Sequence, residues 1–559
     1  MAVAAQHSPL AEHIHPEPQG FIRKYVFSID HKIIGIQYMV TGLIFFVIAG
    51  CLAELIRTQL LNGNARFLTP DQYNEVYSMH GTAMVWFVTI PLVTGGFGNI
   101  IMPLMIGARD VAFPWLNMLS FWLFPPAGAL LFASFLVGAP EAGWTEYPPV
   151  SLQGPPGTTL WCLAIILIGV SSTLTGLNFM VTIFKMRAPG MTLTRMPLFV
   201  WAQFATAGLN MIATVALSAA LSALFMERVF GVPFYDPNHG GSPILWQHMF
   251  WFYSHPAVYI FILPAFGIIS EVLPVFARKP IYGYKMIAFS SVTIALLGFM
   301  VWAHHMFTSG MAPWLQLPFM ILTMLIAIPT GIKIWSWMGT LWGGVIHYTT
   351  AMLFAMGFLI TFTIGGLTGI MLAAVPADLH EHGTYFVVAH FHYVIFGGTF
   401  MGVLAGIYYW WPKVTNRLLS EKIGVLQFWL TFIFMNLTFF PMHILGLEGM
   451  PRRVAVYAPQ YTDMNRFISI SSYVLAFTFV LLFINMAWSL KYGKKAGPNP
   501  WGARTLEWMI PSPPPYYNFK NIPAVLSGPY DFGSPLPYIG LEEELEKAPG
   551  GGPLPAGAH

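Results

Sequence analysis

Charge is what this sequence has least of. Aspartate, glutamate, lysine and arginine make up 9% of its 559 residues, where soluble domains carry about a quarter, so an ordinary water-facing surface is excluded for most of the chain. The formal net charge of +3 on so long a chain says little about partners, and no nucleic-acid partner is expected. Cysteine is almost absent too. Cys51 and Cys162 both lie in apolar runs and provide neither a disulfide framework nor a cysteine metal site; they read as inert helix-packing residues. Residues 1–28 are polar and contain no apolar stretch followed by a small-residue cleavage site, so no signal peptide is expected. No internal repeat stands out.

Apolar residues are plentiful: 56% of the chain is hydrophobic and 16% aromatic. Single soluble cores rarely grow past roughly 250–300 residues. The expected fold is therefore an all-α membrane protein, a single bundle of about twelve transmembrane helices. Runs long enough to span a bilayer, about 20 residues each, fall at 31–57, 76–104, 115–139, 160–184, 198–227, 244–275, 286–310, 314–338, 346–373, 385–411, 424–445 and 467–490. Glycine and proline punctuate several of the gaps. The division expected is a cytoplasmic N-terminal segment at 1–28, a twelve-helix catalytic domain at 29–492 and a proline-rich cytoplasmic tail at 493–559. The tail, acidic at Glu542-Glu-Glu544, reads as a surface strap or partner contact.

Basic residues set the orientation. Arg23, Lys24, Lys32, Arg109, Lys185, Arg187, Arg195, Arg278, Lys279, Lys285, Lys413, Arg417, Lys422, Lys491, Lys494 and Lys495 fall in alternate connections. The other connections hold only Arg57, Arg66, Arg228, Arg452, Arg453 and Arg466. The positive-inside rule places both termini in the cytoplasm. On that orientation His80, His255, His304, His305, His390 and His392 share one layer in the outer half of the membrane. A buried intramembrane histidine is costly and needs a reason.

His390 and His392 are two apart on a helix, so their rings point about 200° apart. They cannot share one metal but can each hold a separate planar cofactor. A six-coordinate haem takes two histidines, and His80 is the second axial candidate for one of them. His304 and His305, about 100° apart on a helix, converge on one ion if His255 approaches from a neighbour. Three imidazoles with an open position suit copper or zinc, and an adjacent haem favours the redox metal, copper. Tyr259, one turn from His255, puts a phenol beside that metal. Lys333, buried in the inner half of the eighth run, reads either as snorkelling to the surface or as a proton relay to Tyr259 through Thr330 and Ser270. Asp110 reads by default as an exposed loop acid; Asn99, Asn117, Ser120, Ser171, Ser172 and Asn178 could hold a water chain leading from it.

With these residues assembled, residues 20–520 resemble subunit I of the haem–copper respiratory oxidases. The motifs are His80-Gly-Thr-Ala-Met, Gly95-Gly-Phe-Gly-Asn, Ile106-Gly-Ala-Arg-Asp110, His304-His305, Pro329-Thr-Gly-Ile-Lys333, Val387-Val-Ala-His-Phe-His-Tyr393 and Gly449-Met-Pro-Arg452-Arg453. The resemblance implies that His80 and His392 ligate a low-spin haem, that His390 ligates a high-spin haem, and that His255, His304 and His305 bind copper. It implies a cross-link between Tyr259 and His255, propionate contacts from Arg452 and Arg453, cofactor contacts from Trp144 and Trp251, and a formyl contact from Arg57. Lys333 with Thr330 is similar to the K-type proton channel, and Asp110 with its polar series to the D-type entrance.

Two departures stand out. The better-known form of the family has a glutamate where this chain has Ala257; Tyr253-Ser254-His255-Pro256 is similar to the A2 subgroup of A-type enzymes (aa3 or caa3 cytochrome c oxidases), in which the Tyr–Ser pair stands in for that carboxyl. Where the family commonly has His-Asp at a magnesium or manganese site, this chain has His382-Gly383 after Glu381, which counts against a metal there.

The resemblance implies the catalytic subunit of a bacterial inner-membrane terminal oxidase that reduces O2 to water and pumps protons. It would carry two haems of a type and one copper, and work with a dicopper subunit II and a subunit III. Cytochrome c is the expected donor, with quinol as the alternative. A nitric-oxide reductase and a non-catalytic proton channel are the readings from other classes.

Overall fold

The computed structural model describes residues 17–64, 66–532 and 538–539; the start of the N-terminal segment and Glu542–Glu544 lie outside them. Eleven helices among the described residues are long and apolar enough to cross a membrane, and one shorter apolar helix accompanies them. In chain order they are α1 His31–Gln59, α2 Pro70–Met105, α3 Pro114–Val137, α4 Gly157–Lys185, α5 Leu198–Phe230, α6 Pro243–Ala277, α7 Tyr284–Gly298, α8 Pro313–Leu341, α9 Thr350–Ala373, α10 Tyr385–Thr415, α11 Glu421–Leu447 and α12 Pro459–Tyr492. Each corresponds to one of the twelve apolar runs.

The helix ends follow local chemistry. The Asp30 carboxylate accepts the Lys32 N–H at the start of α1. Thr69 and Gln72 form a reciprocal capping box at α2, ahead of a proline suited to a first-turn position. Gly231, Arg278 and Asn416 end α5, α6 and α10 in left-handed conformation. Widened π turns interrupt α2 over Ala83–Thr89 and Pro91–Gly98, and α10 over Ile395–Phe400. The first and last of these begin within five residues of a singled-out histidine, His80 or His390/His392, and π turns recur at functional sites.

One expectation is corrected. The seventh apolar run does not continue as a helix to 310. α7 stops at Gly298, and His304 and His305 sit on a separate 3-10 turn, Trp302–Met306. A side chain at 298 would place its Cβ 2.9 Å from Tyr259 Cδ2, so the chain presses backbone against that phenol and then turns. The two histidines therefore follow 3-10 rather than α spacing.

The innermost helix is α6, buried along nearly its whole length; α8 is the most exposed. Cys162 is a packing residue, but Cys51 is exposed on α1 rather than packed. The segment after α12 is more than a surface strap, since Glu507 and Trp508 are fully buried. Lys413 Nζ donates to the carbonyls of Pro498 (3.0 Å) and Ile510 (2.7 Å), Lys32 Nζ to the Tyr516 carbonyl and Asn518 Oδ1 (both 2.8 Å). The Tyr530 hydroxyl donates to Glu271 at the end of α6 (2.5 Å) and accepts the Leu198 N–H at the start of α5 (2.7 Å). A two-stranded ribbon, β1 Ala524–Val525 against β2 Tyr538–Ile539, completes the described structure.

Candidate functional site

A single cavity of about 1200 Å³ runs through the bundle, and all six histidines of the predicted layer line it. It exceeds the roughly 300–1,000 Å³ of an ordinary small-molecule pocket, and its walls are mainly apolar.

Three imidazoles are held by their Nδ1 atoms. His80 Nδ1 lies 2.9 Å from the Ala49 carbonyl, His390 Nδ1 3.0 Å from the Gly365 carbonyl and 3.1 Å from Thr368 Oγ1, and His392 Nδ1 2.8 Å from the Val388 carbonyl. A carbonyl only accepts, so each Nδ1 carries the proton and each Nε2 keeps its lone pair for a metal. His390 turns to α9, where a Cβ on Gly369 would lie 2.9 Å from its Cε1. His392 stacks on Phe439 of α11, with ring centroids 4.3 Å apart. The opposite-face arithmetic for this pair holds.

On the α6 side His255, His304 and His305 present ligand nitrogens within 4.8 Å of one another, the one such group of three found among the described residues. His255 Nδ1 is 3.2 Å from His305 Nε2, a separation two donors can span on one ion at about 2.0 Å from each. His304 Nδ1 meets Thr323 Oγ1 at 3.1 Å; that hydroxyl donates to the Phe319 carbonyl, so the ring nitrogen is the donor and Nε2 is left free. His255 Nε2 is buried with no hydrogen-bond partner, and the Tyr259 ring centre is 4.7 Å from that of His255. Trp251 stacks on His305 at 3.8 Å and donates to the Tyr147 hydroxyl at 2.5 Å. Tyr253 and Ser254 also line the cavity, and Ser254 Oγ has no partner. This donor set fits a metal ion.

The rim carries cations. Arg452 and Arg453 both line the cavity; burial, then repulsion from Arg453, lowers Arg452 to about 10. Two adjacent guanidiniums over an apolar cavity suit a carboxylate-bearing ligand. Arg57 is 6% exposed and donates to the Asn465 carbonyl and side-chain oxygen and to Ser469 Oγ, while its Nε has no partner. Trp144 packs edge-on to Trp251 and lines the cavity. His382 Nδ1 meets Asp378 at 3.0 Å. Glu381, with one carboxylate oxygen unpartnered, is raised to about 6 by burial and then by Asp378.

Lys333 does not snorkel. It is 1% exposed, and Nζ donates to the Ile287 carbonyl (2.8 Å) and to Ser291 Oγ (2.6 Å), both on α7. Sequence reasoning misses Ser291; its visible signal is the Ser290-Ser291 pair in an apolar run. Thr330 lines the cavity. Ser270 is instead the acceptor of Trp337 Nε1 at 3.0 Å, so the expected Lys333–Thr330–Ser270 line is corrected to one whose first partner is Ser291.

Asp110 is half-buried rather than exposed; burial, then repulsion from Asp30, raises its carboxyl to about 8. Beyond it Asn117 Nδ2 donates to Asn99 Oδ1 (2.7 Å) and Ser120 Oγ to the Asn117 carbonyl (2.7 Å). The unpredicted hub is Tyr38 on α1, whose hydroxyl donates to Ser120 Oγ (3.1 Å) and lies 3.2 Å from Ser171 Oγ. Tyr38 stands only seven residues into α1, where an interfacial tyrosine is ordinary, so nothing in the sequence marks it. A second cavity of about 20 Å³, room for one water, is lined by Tyr38, Ser171, Ser172, Asn210 and Trp86. Asn178 lies apart from this series, clamping the Phe113 backbone from both sides at 2.9 and 3.2 Å.

Residues 33–488 match the family described as cytochrome c and quinol oxidase polypeptide I. Cytochrome c oxidase subunit 1 of Thermostichus vulcanus is 53% identical over 527 residues, 94% of this chain and 96% of that protein. The protein of the same name from Bacillus subtilis (strain 168) is 49% identical over 506 residues, 90% of this chain and 81% of that protein. Among solved structures, a heme-copper terminal oxidase dimer determined by cryo-EM shares the fold at a TM-score of 0.68 and 19% identity, covering 83% of this chain and 84% of that chain.

Proposed function

The chain belongs to the cytochrome c and quinol oxidase polypeptide I family, and from that membership we propose that it is the catalytic subunit of a terminal oxidase that takes electrons from cytochrome c, reduces O2 to water and pumps protons. The observation that carries the reading is the cavity itself: three histidines anchored through Nδ1 with Nε2 free, and three more converging within 4.8 Å on the α6 side. His80 and His392 would hold the low-spin haem, His390 the high-spin haem, and His255, His304 and His305 one copper. Together these groups supply electron transfer and O2 activation when bound; the haems are proposed as a type.

The protein's own residues set the conditions. Tyr259, beside His255 and under Gly298, holds a phenolic proton and an electron at the copper end, and His255 Nε2 is the ring atom left for the proposed cross-link. Arg452, Arg453 and Trp144 would orient the propionates, Trp251 would fix the His305 ring, and Arg57 would meet the formyl group. Protons would enter through Lys333 with Ser291 and Thr330, and through Asp110, Asn99, Asn117, Ser120, Tyr38, Ser171 and Ser172 toward Tyr253 and Ser254; Trp86, on the small cavity, lies beside Tyr253.

The proposed complex adds a dicopper subunit II and a subunit III in the bacterial inner membrane. Both termini would be cytoplasmic, with the catalytic domain at 29–492 and the tail packed on its inner face. A reduced-minus-oxidised spectrum of the purified complex should show two haems, and metal analysis should find copper in this subunit beyond any dicopper centre; no haem signal, or no such copper, overturns the reading. Tyr38→Phe should lower turnover by roughly two- to tenfold, the weight of one hydrogen bond at about 0.5–1.5 kcal/mol, with O2 consumption as the measurement.

A further inference from the structure

The loop between α3 and α4 holds a carboxyl with no role in the scheme above. Glu146 is 1% exposed. Its Oε1 accepts the Ala142 N–H at 3.1 Å, and its own N–H donates to the Gly143 carbonyl at 3.1 Å. The side chain thus closes a turn over residues 142–146, in which Gly143 has φ +81° and Glu146 φ +41°. A glutamate in left-handed backbone is unfavourable and needs support. The support is local: the Gly143 N–H donates to Ser78 Oγ (2.7 Å), Trp246 Nε1 to the Thr145 carbonyl (3.0 Å), and the Tyr77 hydroxyl to the Glu141 carbonyl (3.0 Å).

This turn is the seat of Arg453. The guanidinium donates to the Ala142 carbonyl (3.3 Å) and to Thr145 Oγ1 (3.4 Å). It lies so close to the backbone that a Cβ on Gly143 would fall 2.7 Å from its Cζ. The charged and titratable groups facing Glu146 are Arg228 and Arg453, which attract its anion, and Glu141, which repels it; Cys162 and Tyr77 lie close by. Arg228 is already engaged by the carbonyls of Ser151, Leu152, Gly154 and Pro155 and by Thr159 Oγ1. Burial outweighs both arginines and raises the Glu146 carboxyl to about 8, so the group changes charge just above neutral pH.

We propose that Glu146 is a positioning residue for Arg453, and that its ionisation sets how much of the Arg453 charge acts on the propionate side of the cavity. The proposal rests on the haem reading above. Its test is a potentiometric titration of the low-spin haem in the whole complex between pH 6 and pH 10. Ionising Glu146 adds a negative charge beside Arg453, which favours the oxidised haem. The wild-type midpoint should therefore fall as pH rises through about 8. Glu146→Gln should match the wild type at the acid end and stay above it at the alkaline end, and Glu146→Asp should retain the fall. Coincident wild-type and Glu146→Gln curves overturn the proposal. If Glu146→Gln does not assemble, a flat wild-type curve overturns it, and a fall preserved in Glu146→Asp supports it. A complex with no low-spin haem band would instead overturn the proposed function, so the two failures are distinct.

Discussion

His255→Ala should abolish O2 reduction and copper binding while leaving the low-spin haem absorption in place. His255 is the one member of the proposed copper triad contributed by a transmembrane helix; the other two are neighbours on a single 3-10 turn. His304 and His305 alone provide two donors of a set that needs three with an open position. Changes to residues merely behind a metal ligand already cost about 10–100-fold in affinity, so loss of a ligand should exceed that. The low-spin haem candidates are anchored elsewhere, His80 to α1 and His392 within α10, so their spectrum serves as the folding control. Metal analysis, an oxygen electrode and a reduced spectrum read the three quantities. Retained copper with normal turnover would remove His255 from the centre.

Lys333→Met should cut turnover by roughly a hundredfold or more, in line with the weight of a positioned proton carrier, without weakening the fold. The ammonium sits at 1% exposure, held by one carbonyl and one hydroxyl of α7. Burying a lysine at the bilayer centre costs roughly 3 kcal/mol, whereas methionine keeps similar volume and flexibility without that cost. A drop in activity with equal or higher thermal stability therefore separates a proton-carrying role from a structural one. Unchanged turnover would exclude Lys333 from proton uptake. Ser291→Ala, which removes one of the two partners and leaves the charge, should lower turnover by a smaller factor.

Much of the site is legible in the amino-acid sequence. The opposite faces of His390 and His392 follow from helical pitch alone, because residues two apart on any α-helix diverge by about 200°. The i, i+4 pairing of His255 with Tyr259 is local in the same way. Asp110 is less legible. Its raised carboxyl reflects burial and then the charge of Asp30, some eighty residues away in sequence, and a loop position by itself predicts exposure. Ser270 lies on the same helix as His255, which suggests a place in the Lys333 relay, but Trp337 takes its hydroxyl. The Ser270 proton goes to the Phe266 carbonyl one turn back, so the partners of a serine hydroxyl are set both along its helix and between helices.

By itself, then, the sequence determined the helices and their number and singled out the six histidines that line one cavity, because apolar run length and helical pitch are properties of the local chain. Only the tertiary structure decided the chemistry of the layer. Carbonyls or hydroxyls met in the packed bundle (Ala49 for His80, Gly365 for His390, Thr323 for His304) fix Nδ1 as donor and free Nε2. The end of α7 against Tyr259 at Gly298 brings His304 and His305 round to His255. Apart from His392, whose Nδ1 is held within its own helix by Val388, these distances and tautomers come from contacts between different segments of the chain.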